Sequence, residues 1–385
     1  MPRPPTLPSR LPRVGTTIFT IMSRLAAEHG AINLSQGFPD FAPPQLLLEQ
    51  LHHHLAQDCH QYAPLAGVPA LREAIAAKVA ALYGRQYDAE TEVTITAGGT
   101  QALTTAIMAC VRPGDEVVVF APVYDSYIPA IELNGGVVRV ATLRAPHYRP
   151  DWNEVRALLS PRTRLILLNT PHNPTGSIWS AADMEALAAL VRGTDILLLA
   201  DEVYEHMVYD GARHESLALY PDLAARAFIV SSFGKTYHIT GWKIAYCLAP
   251  APLMAEFRKA HQFNVFCVFH PAQRALADFM VADPGFALGL AAFYQARRDF
   301  FRTALSGSRL ALLPCAGSYF QLADYSALSD EPDTEFARRL TIEHGVAAIP
   351  LSAFHPEGTG QRIVRFCFAK HEDTLSRAAE RLCRL

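Results

Sequence analysis

The chain has 29 Arg but only five Lys, at positions 78, 235, 243, 259 and 370. A guanidinium never loses its proton in a protein, whereas a buried ammonium does, and then serves as nucleophile, Schiff-base former or base. Lys235 has the surroundings for that role. The apolar run 227–230 precedes it and Phe233, Tyr237 and Trp242 flank it, which disfavours the charged form. Asp201 closes another apolar run, 196–200, where a carboxylate loses its water and must pair with a cation or take a proton. From that residue alone, a structural ion pair or a helix cap stays open. Asn173 in Asn-Pro-Thr-Gly reads as a polar ligand or a turn former, and Tyr124 as a ring-binding group or an aromatic plug. Gly98-Gly99-Thr100-Gln101 ahead of a helix offers backbone N–H groups to a phosphate, or only a tight turn. It is not G-x-G-x-x-G. Gly234-Lys235-Thr236 is not a Walker loop either, because Ile229 stands where that loop needs glycine.

Positioning these groups falls to short β-rich runs alternating with helical ones. Strands are expected at Glu92 to Thr96, Glu116 to Ala121, Val137 to Leu143, Arg164 to Leu168, Ile196 to Ala200, Phe228 to Ser231 and Lys243 to Leu248. Helices are expected at Gln101 to Val111, Ser126 to Leu133, Trp152 to Leu159 and Ala181 to Val191. That rhythm predicts an α/β fold with a mostly parallel sheet covered on both faces. The last strand follows too closely for a helical crossover and is expected antiparallel. Ligands of such sheets sit beyond the carboxyl ends of the strands, where these polar residues fall. After Pro250 come helices at Leu253 to Gln262, Ala272 to Met280 and Phe286 to Leu305, the last two separated by the breaker Asp283-Pro284-Gly285. Strands near Ser318 to Leu322, Val346 to Ile349 and Arg362 to Phe368, with helices Thr334 to His344 and Glu372 to Leu382, describe a smaller α+β domain.

At 385 residues, with net charge −3, 50% apolar and 18% charged residues, the chain falls in the soluble globular class. The charge balance argues against nucleic acid as a partner. Apolar runs are far shorter than the ~20 residues that span a bilayer, and the first 15 residues hold no apolar signal core, so no membrane partner and a cytoplasmic location are expected. The seven Cys are odd in number and never spaced C-x-x-C, which predicts ordinary thiols. His52, His53 and His54 diverge by about 100 degrees per residue on a helix and cannot converge on one metal ion.

Asn173-Pro174-Thr175-Gly176, Ala200-Asp201-Glu202-Val203-Tyr204 and Ser232-Phe233-Gly234-Lys235-Thr236, in that order, resemble the fold-type I pyridoxal phosphate aminotransferases of class I/II. The resemblance runs from Ile32-Asn33-Leu34-Ser35-Gln36-Gly37-Phe38-Pro39-Asp40 to Val364-Arg365-Phe366. Within the family, Gln36 to Phe41 and Ser231 to Trp242 are most similar to the methionine and kynurenine/glutamine branch. The resemblance implies a seven-stranded, mostly parallel sheet in a large cofactor-binding domain at 41–283, an N-terminal arm with part of the small domain at 1–40, and a small C-terminal domain at 284–385. It implies that Lys235 binds pyridoxal 5′-phosphate through its amine, then moves a proton as base and acid. Asp201 would pair with the pyridine nitrogen, Tyr204 and Asn173 with the phenolic oxygen, and Tyr124 would stack on the ring. Gly99, Thr100, Gln101, Ser232, Lys243 and, from a neighbouring subunit, Tyr62 would hold the phosphate. Lys243 stands where the family often has Arg, which keeps the charge and loses the fork.

Arg365, which by its residue type alone reads first as a surface ion pair, would by the resemblance clamp the substrate carboxylate, and Gly37 would let that carboxylate approach the backbone. Phe38, with Phe19 and Tyr124, would form an apolar side-chain pocket. The implied reaction is ping-pong transfer from an L-amino acid, with methionine, glutamine or aromatic donors favoured, to a 2-oxo acid, in a homodimer with shared sites. A β-eliminating lyase on cystathionine or cysteine conjugates shares these residues. A cofactor-binding transcription regulator would need a DNA-binding module, for which the segment before Ile32 is too short. Borohydride reduction of the enzyme is expected to fix a phosphopyridoxyl group on the peptide holding Lys235. Label on Lys78, Lys259 or Lys370 would refute the assignment.

Overall fold

A computed structural model describes residues 7–385 apart from Asp58, Glu357 and Thr359. Seven strands build the large sheet: β1 Val93–Thr96, β2 Glu116–Ala121, β3 Val137–Thr142, β4 Thr163–Asn169, β5 Leu197–Asp201, β6 Ala227–Ser232 and β7 Ala245–Leu248. Their spatial order is β1-β7-β6-β5-β4-β2-β3. Every pairing is parallel except those of β7, which runs antiparallel to both β1 and β6. Only the short helix Phe233–Thr236 and the turn Thr240–Trp242 separate β6 from β7, too little chain for a parallel crossover. β1, β2, β6 and β7 are buried along their whole length, as a sheet covered on both faces requires, while the edge strand β3 is half-exposed. Helix α1, Gly99–Cys110, turns Ala102, Leu103, Ala106 and Ile107 inward at helical spacing.

Two expected strands need correction. β7 starts at Ala245 rather than Lys243, because Lys243 takes a left-handed conformation (φ 55°) that closes the preceding turn and breaks the alternation. The run from Val346 to Ile349 is two strands. Val346–Ala347 pairs in parallel with Ile32–Asn33, and Ile349–Pro350 pairs antiparallel with Ile363–Cys367. All four residues of the run are fully buried, so no polar alternation marks the change of partner. Ile363–Cys367 is central in a four-stranded antiparallel sheet with Ile349–Pro350, Phe320–Asp324 and Ala311–Leu312. Helices Ile18–Glu28, Gln45–Leu55 and Pro69–Tyr83 precede the large sheet, and the second of these carries the histidine triplet. Among the described residues no single helix is long and apolar enough to cross a membrane. Helices His270–Ala282 and Gly285–Ala304 meet in an 84° bend at the expected breaker.

A buried polar cluster pins the loop after β5 to its neighbours. Glu205 accepts from Lys78 (2.6 Å), Tyr83 (2.7 Å), Tyr246 (3.0 Å) and Ser231. Because the carboxylate side chain is only 3% exposed and Lys78 16%, removing either leaves the other as an uncompensated buried charge. Glu205→Ala is expected to lower unfolding free energy by about 3–5 kcal/mol, read as a fall in the denaturant midpoint. Arg377→Ala, which breaks an exposed pair with Asp373, is expected to leave the midpoint in place.

Candidate active site

The carboxyl ends of β1, β4, β5 and β6 border one cleft of about 340 Å³. Asp201 is the last residue of β5 and lies almost fully buried. Its Oδ2 accepts from the Tyr127 hydroxyl at 2.5 Å and its Oδ1 from the Val203 N–H at 3.3 Å. Asn169, ending β4, donates to the Asp201 backbone carbonyl at 2.8 Å and accepts from the Asn173 N–H at 2.8 Å, which joins the Asn-Pro-Thr-Gly turn to β5. Lys235 sits in the short helix after β6, capped by Ser232, whose hydroxyl accepts from the Gly234 N–H at 3.2 Å. Lys235 and Asp201 open into the same cleft. The amine donates to the Gly37 carbonyl at 3.2 Å and to the Tyr319 hydroxyl at 2.9 Å.

At the other end of the cleft, Gly98 adopts φ +84° and caps α1 without a side chain, so the first N–H groups of the helix are uncovered. A Cβ on Gly98 would lie 3.0 Å from Lys243 Nζ, so glycine is what lets the ammonium close over the helix start. Gly99, Thr100 and Ser232 border the same end. Opposite, Arg365 is 1% exposed on the central strand of the small sheet. It donates to Asn173 Oδ1 at 2.7 Å and to the Ser35 carbonyl at 2.9 Å, and its guanidinium carbon lies 3.9 Å from the centre of the Phe320 ring. Its Nε is buried with no partner, and the hydrogen bonds of its other nitrogens go to the Asn173 amide and the Ser35 carbonyl, not to a carboxylate. A buried, unpaired guanidinium is unfavourable until an anion reaches it.

Burial sets the charge balance. It pushes Asp201 up to about 6, against the pull of the Tyr127 and Val203 hydrogen bonds. It pushes Lys235 down to about 8 and Arg365 down to about 10. Each group is held short of its preferred ionisation partner, and each faces the cleft.

Twelve expected residues line this cleft: Gly37, Phe38, Gly99, Thr100, Tyr124, Asn173, Asp201, Tyr204, Ser232, Lys235, Lys243 and Arg365. Two do not. The Gln101 side chain turns back along α1, accepting from the Ala97 N–H at 2.9 Å and donating to Thr105 at 2.6 Å, so only its backbone is near. Tyr62 is 81% exposed, its ring against Phe266 rather than at the cleft of its own chain. The space beside Gly37 is taken by Phe320, whose Cζ would lie 2.8 Å from a Cβ there, so glycine is required for ring packing as well as for any ligand. The sequence reading missed Tyr127 and Tyr319. Tyr127 opens a helix three residues after Tyr124, across a turn that the Tyr127 N–H closes on the Tyr124 carbonyl at 3.2 Å, and the two rings lie 5.6 Å apart. Tyr319 carries no local signal, being 84 positions from the lysine it touches.

These donors fit pyridoxal 5′-phosphate. An uncapped helix start with an ammonium closed over it suits the phosphate, a desolvated carboxylate suits a protonated ring nitrogen, and an amine with a lowered proton affinity suits the aldehyde carbon. Fold and cleft together define the class of pyridoxal-phosphate-dependent aminotransferases. Residues 29–382 match the family model for aminotransferase class I and II, and the chain belongs to that family. It is 56% identical over 382 residues to methionine aminotransferase from Escherichia coli, covering 99% of each chain. The crystal structure of Escherichia coli YbdL, reported with a methionine aminotransferase function, superimposes with TM-score 0.97 at 56% identity, covering 99% of this chain and 100% of that one. Human kynurenine–oxoglutarate transaminase 1 is 33% identical over 394 residues, 93% of each chain.

The Lys235 environment makes a direct prediction. In the chain freed of cofactor, acylation of Lys235, followed by peptide mass spectrometry across pH, is expected to reach half its plateau near pH 8. A midpoint at the ordinary lysine value of about 10.4 would contradict the desolvated site.

Proposed function

We infer that this aminotransferase takes an L-amino acid with an uncharged, apolar or aromatic side chain, methionine foremost, and passes its amino group to a 2-oxo acid in two half-reactions. The observation that carries the reading is the count of cations at the cleft: Lys235, Lys243 and Arg365 line it. Reaction amine, phosphate and α-carboxylate occupy one each, so among the described residues of one chain no cleft cation is left for an ω-carboxylate. Phe19, Phe38, Tyr124 and Phe320 supply the apolar wall. The E. coli relative's name, methionine aminotransferase, supports the same preference.

In this reading Arg365 grips the α-carboxylate with a guanidinium already oriented by Asn173 and Ser35, so little ordering is left to do on binding. When bound, pyridoxal phosphate supplies an electron sink for the pair left by the departing α-hydrogen. Asp201 keeps a proton on the ring nitrogen, and Tyr127 fixes the carboxylate that does so. Lys235, as the only cleft amine within reach of the reacting carbon in this reading, would take the α-proton at Nζ as base and give a proton back from Nζ as acid. Asn173 spends its carbonyl oxygen on Arg365, which leaves its N–H2 to donate to the phenolic oxygen together with Tyr204. Gly99, Thr100, Ser232, Lys243 and the Gln101 backbone hold the phosphate.

Assembly as a homodimer with shared sites belongs to the same reading, with Tyr62 reaching the partner's phosphate. Tyr62 and Phe266 pack ring to ring at 5.3 Å while exposed, and Phe263 and Phe269, also exposed, follow on the same stretch of chain, an apolar surface of the kind that meets another subunit. Seven free thiols favour a reducing, cytoplasmic setting. The division into an arm with part of the small domain at 1–40, a large domain at 41–283 and a small domain at 284–385 is supported by the bend at Asp283-Pro284 and by the pairing of Ile32–Asn33 with Val346–Ala347.

A donor panel tests the substrate class. With one oxo-acid acceptor, methionine, glutamine and phenylalanine are expected to show higher kcat/KM than aspartate. Aspartate as the best donor would overturn the reading, and rapid release of pyruvate and ammonia from a cysteine conjugate without any acceptor would transfer it to the β-lyase.

A further inference from the structure

The geometry points to Tyr319 as a positioning residue for Lys235: its phenol oxygen and the Gly37 carbonyl take the two N–H bonds of the neutral amine and leave the lone pair turned to the cleft. The inference rests on the reading that Lys235 carries the reaction.

A neutral amine has two N–H donors and one lone pair. Lys235 Nζ lies 2.9 Å from the Tyr319 hydroxyl and 3.2 Å from the Gly37 oxygen. Tyr319 in turn donates to that same Gly37 oxygen at 2.5 Å, so its oxygen is free to accept from the amine. The three atoms close a triangle; Lys235 and Gly37 line the cleft, while Tyr319 is not among its lining residues and holds the amine from behind. Tyr319 itself cannot drift. Its ring is fully buried and held edge-on by Tyr204 at 5.1 Å and by Phe320 at 4.9 Å, with Tyr294 at 5.7 Å behind. Ser318, just before it, adopts a left-handed conformation (φ 57°), and its backbone carbonyl accepts from the Tyr209 hydroxyl. The strand that follows places Phe320 against the Arg365 guanidinium. Two adjacent residues thus address the amine and the carboxylate clamp, and both lean on Gly37.

Packing alone would also bury a tyrosine here, so the test must read the amine. Tyr319→Phe keeps the ring and deletes both hydroxyl contacts. In the cofactor-free full chain, the plateau rate of Lys235 acylation is expected to fall roughly fivefold, the factor one ordinary hydrogen bond carries. The exposed Lys259, labelled in the same sample, should not change. Tyr294→Phe is the control: its hydroxyl is buried beside the same ring without a hydrogen-bond partner, and its loss should leave both rates alone. An unchanged Lys235 rate in Tyr319→Phe, or an equal fall in Tyr294→Phe, overturns the assignment. If Tyr319→Phe does not fold, a fluorinated tyrosine at 319, which weakens the oxygen as acceptor while keeping the ring, should lower the rate in the same direction, and no change would again overturn it. Borohydride label away from Lys235 refutes the underlying reading. Label on Lys235 with an unmoved acylation rate refutes only the role of Tyr319.

Discussion

A carboxylate, an amine and a guanidinium are taken out of water in one cleft without any two of them being paired. Asp201 leans on a phenol and a backbone N–H, Lys235 on a hydroxyl and a carbonyl, and Arg365 on an amide oxygen and a carbonyl. Neutral partners hold each group in place without neutralising it, so each keeps its full electrostatic demand for a ligand of the opposite kind. Desolvation of this order runs to several kcal/mol per charge and has to be offset by the surrounding core. The buried strands of the large sheet supply that core, and they end at the cleft.

The polarity of the strands explains why the groups meet. Parallel β4, β5 and β6 present their carboxyl ends on one edge, and Asn169, Asp201 and Ser232 are the terminal residues of the three. Antiparallel β7 brings its amino end to that edge instead, and the turn before it delivers Lys243 to Gly98 at the start of α1. One reversed strand therefore brings a cation to the uncapped start of α1. Arg365 comes from the small sheet and Lys235 from the helix that follows β6 of the large one, and both line the cleft.

Much of this was readable from the chain because the relevant signals are local. An apolar run that stops at a charged residue announces a buried strand end, and it did so at Asp201. The flanking aromatics announced Lys235, and the short β6–β7 connection announced the antiparallel strand. Where the reading failed, the information was not local. The run at Val346 to Ile349 is buried on all sides and carries no mark of the change of sheet partner, and Lys243 leaves its strand through a backbone conformation that its residue type disfavours. The Gln101 side chain, which hydrogen-bonds within its own helix and to the strand end before it, could not be placed from sequence, because a polar residue in the first turn of a helix serves a ligand or the helix itself equally well.

By itself, the sequence determined the class of fold and the reactive amine, since residue type and its immediate neighbours decide strand ends, helix starts and desolvated lysines, while the cofactor and most of the other cleft residues came from the resemblance of three motifs to a known family. Only the tertiary structure decided which neutral groups hold those residues. Tyr127 on Asp201, Tyr319 on Lys235 and Phe320 on Arg365 are contacts between positions 74, 84 and 45 apart in the chain. A hydrogen bond or ring contact across such a separation leaves no trace in local composition, because it is created by the packing of whole elements rather than by the preferences of any one of them.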